Sequence, residues 1–111
     1  MFKKENRLVS SVRFNNSFSL SVPQFVIKKK INGLPVNRFG VVVSKKIDKR
    51  AVVRNRIKRM FRIALLDLNK NMLAGHDILF IVKIGSLNKT EGEIHVSIKN
   101  ALEKAGLIRK T

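Results

Sequence analysis

The sequence predicts an α+β fold, a small two-layer α/β sandwich with its elements in the order α-β-β-α-β-α. Three observations predict it. Apolar residues recur at helical spacing between residues 51 and 71 and again between 94 and 105. Valine-rich or unbroken apolar runs of strand length stand before and after the first of these stripes. The chain has 111 residues, which suits one domain, 1–111, with a single core.

A first helix is expected from about Glu5 to Phe18, interrupted by Val9, Val12 and Ser17. Val22 to Ile31 reads as a strand, with Pro23 at its start, where a missing donor is tolerated. Asn32-Gly33 signals a turn that Pro35 and Asn37 extend into a loop. Arg38 to Lys46 (RFGVVVSKK) reads as a second strand and as the hairpin partner of the first. A long helix follows from about Lys49 or Ala51 to Asn71, with Asp48 as candidate N-cap. Val53, Ile57, Met60, Phe61, Ala64 and Leu68 form its core stripe, and Gly75 lies just beyond its end. His76 to Ile84 (HDILFIVKI) is a nearly unbroken apolar run, as expected of a strand covered on both faces. Gly85 to Lys89 is loop. Thr90 and Glu93 make a T-x-x-E capping box ahead of the last helix. That helix has Ile94, Ile98, Ala101, Leu102 and Ala105 as its stripe and Gly106 at its C-terminus. The second strand, the long helix and the third strand would form a β-α-β unit.

Charge narrows the function. The chain holds 24 Lys+Arg against 7 Asp+Glu, a net +17. A compact domain so charged repels itself and needs a polyanion for relief. Nucleic acid is the first candidate and an anionic membrane the second; solubility alone is reached with far less charge. Cysteine is absent, which excludes a disulfide framework, a disulfide-linked partner and thiolate metal sites, and fits a reducing, cytoplasmic setting. No apolar run approaches the roughly 20 residues that span a bilayer. The N-terminus MFKKENRLVSSV has no apolar stretch after its charges, so neither a signal peptide nor a membrane partner is expected.

Residues 44–62 (SKKIDKRAVVRNRIKRMFR) hold nine Lys or Arg and one acid, Asp48. On a helical wheel with Val53, Ile57 and Ala64 facing the core, Asn55, Lys58, Arg59 and Arg62 cluster on the opposite side, and Arg54 and Arg56 flank the core stripe. Guanidinium groups fork onto phosphate oxygens, lysines add mobile point charges, and Asn55 can meet a base edge or a sugar hydroxyl. A solvated helix face normally mixes signs for i,i+4 pairs, yet no acid occurs from Lys49 to Arg62. A basic amphipathic helix can also lie on a membrane, but this stripe is needed for the core.

The same stretch closely resembles the signature of the bacterial ribonuclease P protein component, a Ser-Lys-Lys strand end followed by an Arg-Asn-Arg helix. The resemblance covers nearly the whole chain: NRLVSSVRFNNSF is similar to that family's first helix, QFVIK to its first strand, GHDILFIVKIG to its last strand and ALEKAGLIRK to its last helix. It implies a ribosomal protein S5 domain 2-like sandwich, with a mixed sheet and a left-handed β-α-β crossover, although such crossovers are right-handed in about 98% of proteins. It implies a protein subunit of a ribonucleoprotein endonuclease that removes the 5′ leader from precursor tRNA. The partners would be the catalytic ribonuclease P RNA and the single-stranded leader. Mg²⁺ would act in the RNA active site, with none bound by the protein alone. By motif match, Lys45, Lys46, Arg54, Asn55, Lys58 and Arg62 would contact RNA, and the cationic run of the helical wheel adds Arg56 and Arg59 to them. Phe14 and Phe18, with Val26 and Lys28 on the adjacent strand, would line the leader cleft, where bases can stack without regard to sequence. Ordinary core packing at i,i+4 accounts equally well for Phe14 and Phe18. The family often has an aromatic residue where this chain has Lys28, and Tyr and Trp are absent, so a phosphate contact would replace stacking there.

The protein itself offers no catalytic set. His76 and His95 are its two histidines, with Asp77, Glu91 and Glu93 the nearest acids. His76-Asp77 has no second acid for a two-metal site, and His95 is expected at the surface. The alternative function is a stand-alone RNA-binding or ribosome-associated protein without an enzyme partner.

Overall fold

In the computed structural model the described residues are 18–108. Four strands and two helices follow one another as β1 (Phe18–Ser21), β2 (Phe25–Ile31), β3 (Arg38–Val42), α1 (Ala51–Asn69), β4 (His76–Val82) and α2 (Glu91–Lys104), with a 3₁₀ turn at Ile84–Ser86. The sheet order is β1-β2-β4-β3. β1 with β2 and β2 with β4 are antiparallel, whereas β3 and β4 are parallel, so the sheet is mixed and the fold is α+β.

Both helices cover one face of the sheet. Phe25 and Ile27 of β2, Phe39 of β3 and Ile78 and Phe80 of β4 meet Ile57, Phe61 and Leu65 of α1 and Ile94, Ile98 and Leu102 of α2. Phe25, Phe61 and Phe80 form a mutual edge-to-face triangle with centroids 5.2–5.8 Å apart, a geometry that aromatic quadrupoles favour. The expected stripes of both helices are buried, with Val53 half-buried at the margin, and Leu65, which the expected stripe of α1 omitted, is buried with them.

The Thr90–Glu93 capping box forms reciprocally: Glu93 N–H donates to Thr90 Oγ1 at 3.2 Å and Thr90 N–H to Glu93 Oε1 at 3.1 Å. Gly106 takes φ +75° just past α2, where the chain leaves the helix in the left-handed region.

Several expectations are corrected. The first helix, Glu5 to Phe18, lies outside the described residues except for Phe18, which opens a strand. FSLS pairs with β2 as a hairpin, Phe18 opposite Lys29 and Ser21 opposite Val26. The strand expected from Val22 therefore starts at Phe25, and Pro23 sits in the turn, closed by Val22 N–H donating to Phe25 O at 2.9 Å. β2 and β3 are not hairpin partners, because β4 inserts between them. β3 ends at Val42 rather than Lys46; its last partner is Ile81 of β4, and the chain then turns away at buried Val43 toward α1. Asp48 is not the N-cap of α1; Arg50 is, and Asp48 instead accepts the Arg50 N–H at 2.8 Å. Among the described residues, β4 is covered by helices on one face only. Ile78, Phe80 and Val82 are buried against the helices, while Leu79 and Ile81 are half-buried on the other side, as a two-layer fold requires.

Candidate nucleic-acid interface

The parallel pairing of β3 and β4 puts their C-terminal ends at one pole, and β3 passes there into α1 through residues 43–50. Buried Val43 anchors this loop and leaves Lys45 and Lys46 exposed. Asp48 and Arg50 shape it: Arg50 Nε and Nη2 reach the two carboxylate oxygens at 3.1 and 2.9 Å. Hydrogen bonds from the Arg50 side chain, then from its backbone, hold the Asp48 carboxyl down at about 2. Arg54 reaches back from α1, its Nη1 donating to the carbonyls of Asp48 and Lys49 at 2.9 and 2.7 Å. One nitrogen of this sequence-predicted RNA contact therefore braces the loop that carries Lys45 and Lys46.

Along α1, Asn55, Arg56, Arg59 and Arg62 are exposed and Lys58 is half-buried. These four cations make no hydrogen bond or ion pair among the described residues. The next acid along the helix, Asp67, is occupied by His95 at 2.9 Å and Lys70 at 3.5 Å. Val52, Ile63 and Leu66 are also exposed, so the cationic band carries apolar contact area within it.

Strand alternation assigns the sheet face away from the helices. Across it run the rows Ser21–Val26–Ile81–Val42, Ser19–Lys28–Leu79–Gly40 and Lys30–Asp77–Arg38. An apolar strip of Val26, Ile81, Val42 and Leu79 is thus bordered by Lys28, Lys30 and Arg38, and Lys83 reaches the same side to donate to Ser21 Oγ at 2.7 Å. Val26 and Lys28 are brought together as predicted. Lys30, Arg38 and Lys83 were not singled out from sequence, although the period of two in FVIKKKI marks Lys28 and Lys30 as face-mates.

Asp77 sits among these cations with 1% exposure. Arg38 clamps it with two bonds of 2.7 Å, and Asn32 Nδ2 adds a third at 3.0 Å. Burial pushes the carboxyl up, but hydrogen bonds from Arg38 and Asn32 outweigh it and leave Asp77 below the usual carboxylate range.

Phe18 does not join Val26 and Lys28. It pairs with Lys29, whose neighbours in the register face the helices. The Lys29 ammonium lies 5.0 Å from the Phe18 ring centroid and donates to Ala105 O at 2.5 Å. Phe18 and Lys28 therefore stand on opposite faces. Phe14 lies outside the described residues. No three of His, Cys, Asp and Glu gather to hold a metal ion among the described residues. Among the same residues no helix is long and apolar enough to cross a membrane.

The chain matches the family model described as Ribonuclease P over residues 2–106. It is 36% identical over 109 residues to the ribonuclease P protein component of Clostridium botulinum (strain 657 / Type Ba4), covering 94% of this chain and 97% of that one. It is 38% identical over 110 residues to that of Clostridium kluyveri, covering 96% and 95%. Among solved structures it resembles a Staphylococcus aureus RNase P protein mutant with defective mRNA degradation activity, with TM-score 0.86, 29% identity and coverage of 95% and 92%. The RNase P protein from Thermotoga maritima matches with TM-score 0.74, 25% identity and coverage of 82% and 86%.

Proposed function

The chain belongs to the ribonuclease P protein family, and from that membership we propose that it acts as the cytoplasmic protein subunit of a ribonucleoprotein endonuclease that trims the 5′ leader from precursor tRNA. The observation that carries the proposal is the acid-free cationic band from Lys49 to Arg62 joined to Lys45 and Lys46 in the loop that follows β3. Phosphates of a catalytic RNA would meet Arg56, Lys58, Arg59 and Arg62, with Asn55 among them and Arg54 holding the loop in place. The single-stranded leader would lie on the sheet face away from the helices, its bases on the strip of Val26, Leu79 and Ile81 and its phosphates near Lys28. Mg²⁺ chemistry belongs to the RNA. The protein's part is to neutralise phosphates that would otherwise repel each other, so that the metal-binding fold of the RNA forms at lower Mg²⁺.

Reconstitution with a bacterial ribonuclease P RNA at low Mg²⁺ tests this. Faster cleavage of precursor tRNA is expected. Binding without stimulation would instead make the chain a stand-alone RNA-binding protein.

A further inference from the structure

Beside α1, on the flank away from Arg54 and Lys58, lies a cavity of about 310 Å³. That volume is near the lower bound of roughly 300 Å³ for small-ligand pockets. It suits one nucleotide and is too small for a duplex. Val53, Ile57 and Met60 of α1 form one apolar wall and Leu87 the other. Arg50, Arg56 and Lys89 stand around it, and among the described residues no acidic side chain lines it. Arg50 already holds Asp48, and Lys89 lies 3.9 Å from Glu93. Arg56 is the cation with no partner among the described residues. Asn88 completes the lining, exposed and held at φ +65°, a left-handed conformation that asparagine tolerates.

We propose that this cavity takes one unstacked nucleobase of a single-stranded RNA segment, with its phosphate on Arg56. The inference rests on the RNA-binding reading above and adds a base-holding site to it. The apolar walls exclude water from the faces of a planar heterocycle, and the Met60 sulfur is a favourable contact for an aromatic ring. The Asn88 amide offers a donor and an acceptor to a base edge. Among the described residues no aromatic side chain lines the cavity, so the base is held by a slot between aliphatic walls rather than on a ring. A strand crossing α1 over Arg62 and Arg59 reaches Arg56 and the cavity mouth next.

The three methionines, Met1, Met60 and Met72, allow a direct test. The full chain, labelled with ¹³C-methyl methionine, is titrated with pentaadenylate and with an abasic pentamer of equal charge. Met60→Leu assigns the reporter signal. Met72, which bridges to Ile108 at the far end of α1, is the internal reference. Pentaadenylate is expected to shift the Met60 methyl upfield and leave Met72 in place, and the abasic pentamer to leave both unshifted. Pentaadenylate should also bind roughly tenfold more tightly than the abasic pentamer. Val53→Phe and, from the other wall, Leu87→Phe should each fill the cavity, abolish the Met60 shift and reduce that preference severalfold, leaving only what the Val26, Leu79 and Ile81 strip contributes. A Met72 methyl signal at its parent position shows that the variants are folded. An unshifted Met60 methyl at saturation, equal affinity for the two oligomers, or no binding of either overturns the inference. Binding and stimulation of the catalytic RNA, measured on the same protein, show whether only the cavity assignment falls or the subunit reading with it.

Discussion

Asp77 is the residue on which the β2–β3 loop, β3 and β4 converge, through Asn32, Arg38 and its own strand. Removing one partner of a buried ion pair strands the other. Arg38 is itself partly exposed and rehydrates when stranded, so Asp77→Ala is expected to lower stability by about 1–3 kcal/mol at neutral pH, read by urea unfolding. The folded carboxyl lies below its ordinary value, so its contribution is complete above about pH 4 and is lost as pH falls through the lowered value. The gap between parent and variant should narrow in acid, as the carboxyl loses its charge. Asp48 differs in kind, because it shapes an exposed loop. Its carboxyl should titrate at about 2 by NMR, and Arg50→Ala should move that midpoint up toward the ordinary value near ~3.9. An unmoved midpoint would mean that Arg50 does not hold Asp48 in solution.

At the scale of elements, α1 should set the salt dependence of RNA binding. Each neutralised phosphate contributes a log–log slope of roughly −0.7 to −0.9, so replacing Lys58, Arg59 and Arg62 together by Ala should flatten the slope by about 2–3. For α2, Thr90→Ala removes the hydroxyl that accepts the Glu93 N–H and should cost about 1 kcal/mol in thermal unfolding. Both helices were legible in sequence because their signals are local: a stripe at i, i+3 and i+4, and a box spanning four residues. The strands were legible as strands but not as partners. The Asn32-Gly33 turn and two flanking β runs fit a hairpin, and only β4, more than 30 residues beyond β3, decides that they are held apart. Phe18 was misplaced because Phe14 and Phe18 suggest a helical period, while the alternation in FSLS, too short to compete with it, governs the fold. The α1 cations were found because a long acid-free run survives any error in boundaries. The second cationic border, Lys30, Arg38 and Lys83, needed the register of the whole sheet.

Across the whole molecule, the two faces of the sheet make the leader proposal divisible. Lys28→Ala should reduce the preference of the holoenzyme for precursor over mature tRNA by about three- to tenfold, since one phosphate contact and part of a stacking floor are lost. Phe18→Ala, on the opposite face, should leave that ratio unchanged in a folded protein. A fall in the ratio with Phe18→Ala would overturn the assignment of the leader to the face of Val26 and Lys28. The sheet order also bears on how the protein is made. β4 lies between β2 and β3, yet it is translated last of the four. An emerging chain that has reached Gly75 can hold the β1–β2 hairpin, but β3 has no neighbour and the lysines of β2 and the arginines of α1 have no packed scaffold. Until β4 leaves the ribosome, the nascent chain is an unassembled polycation beside ribosomal RNA, and its synthesis ends in a competition between threading one strand into place and adhering to the machine that made it.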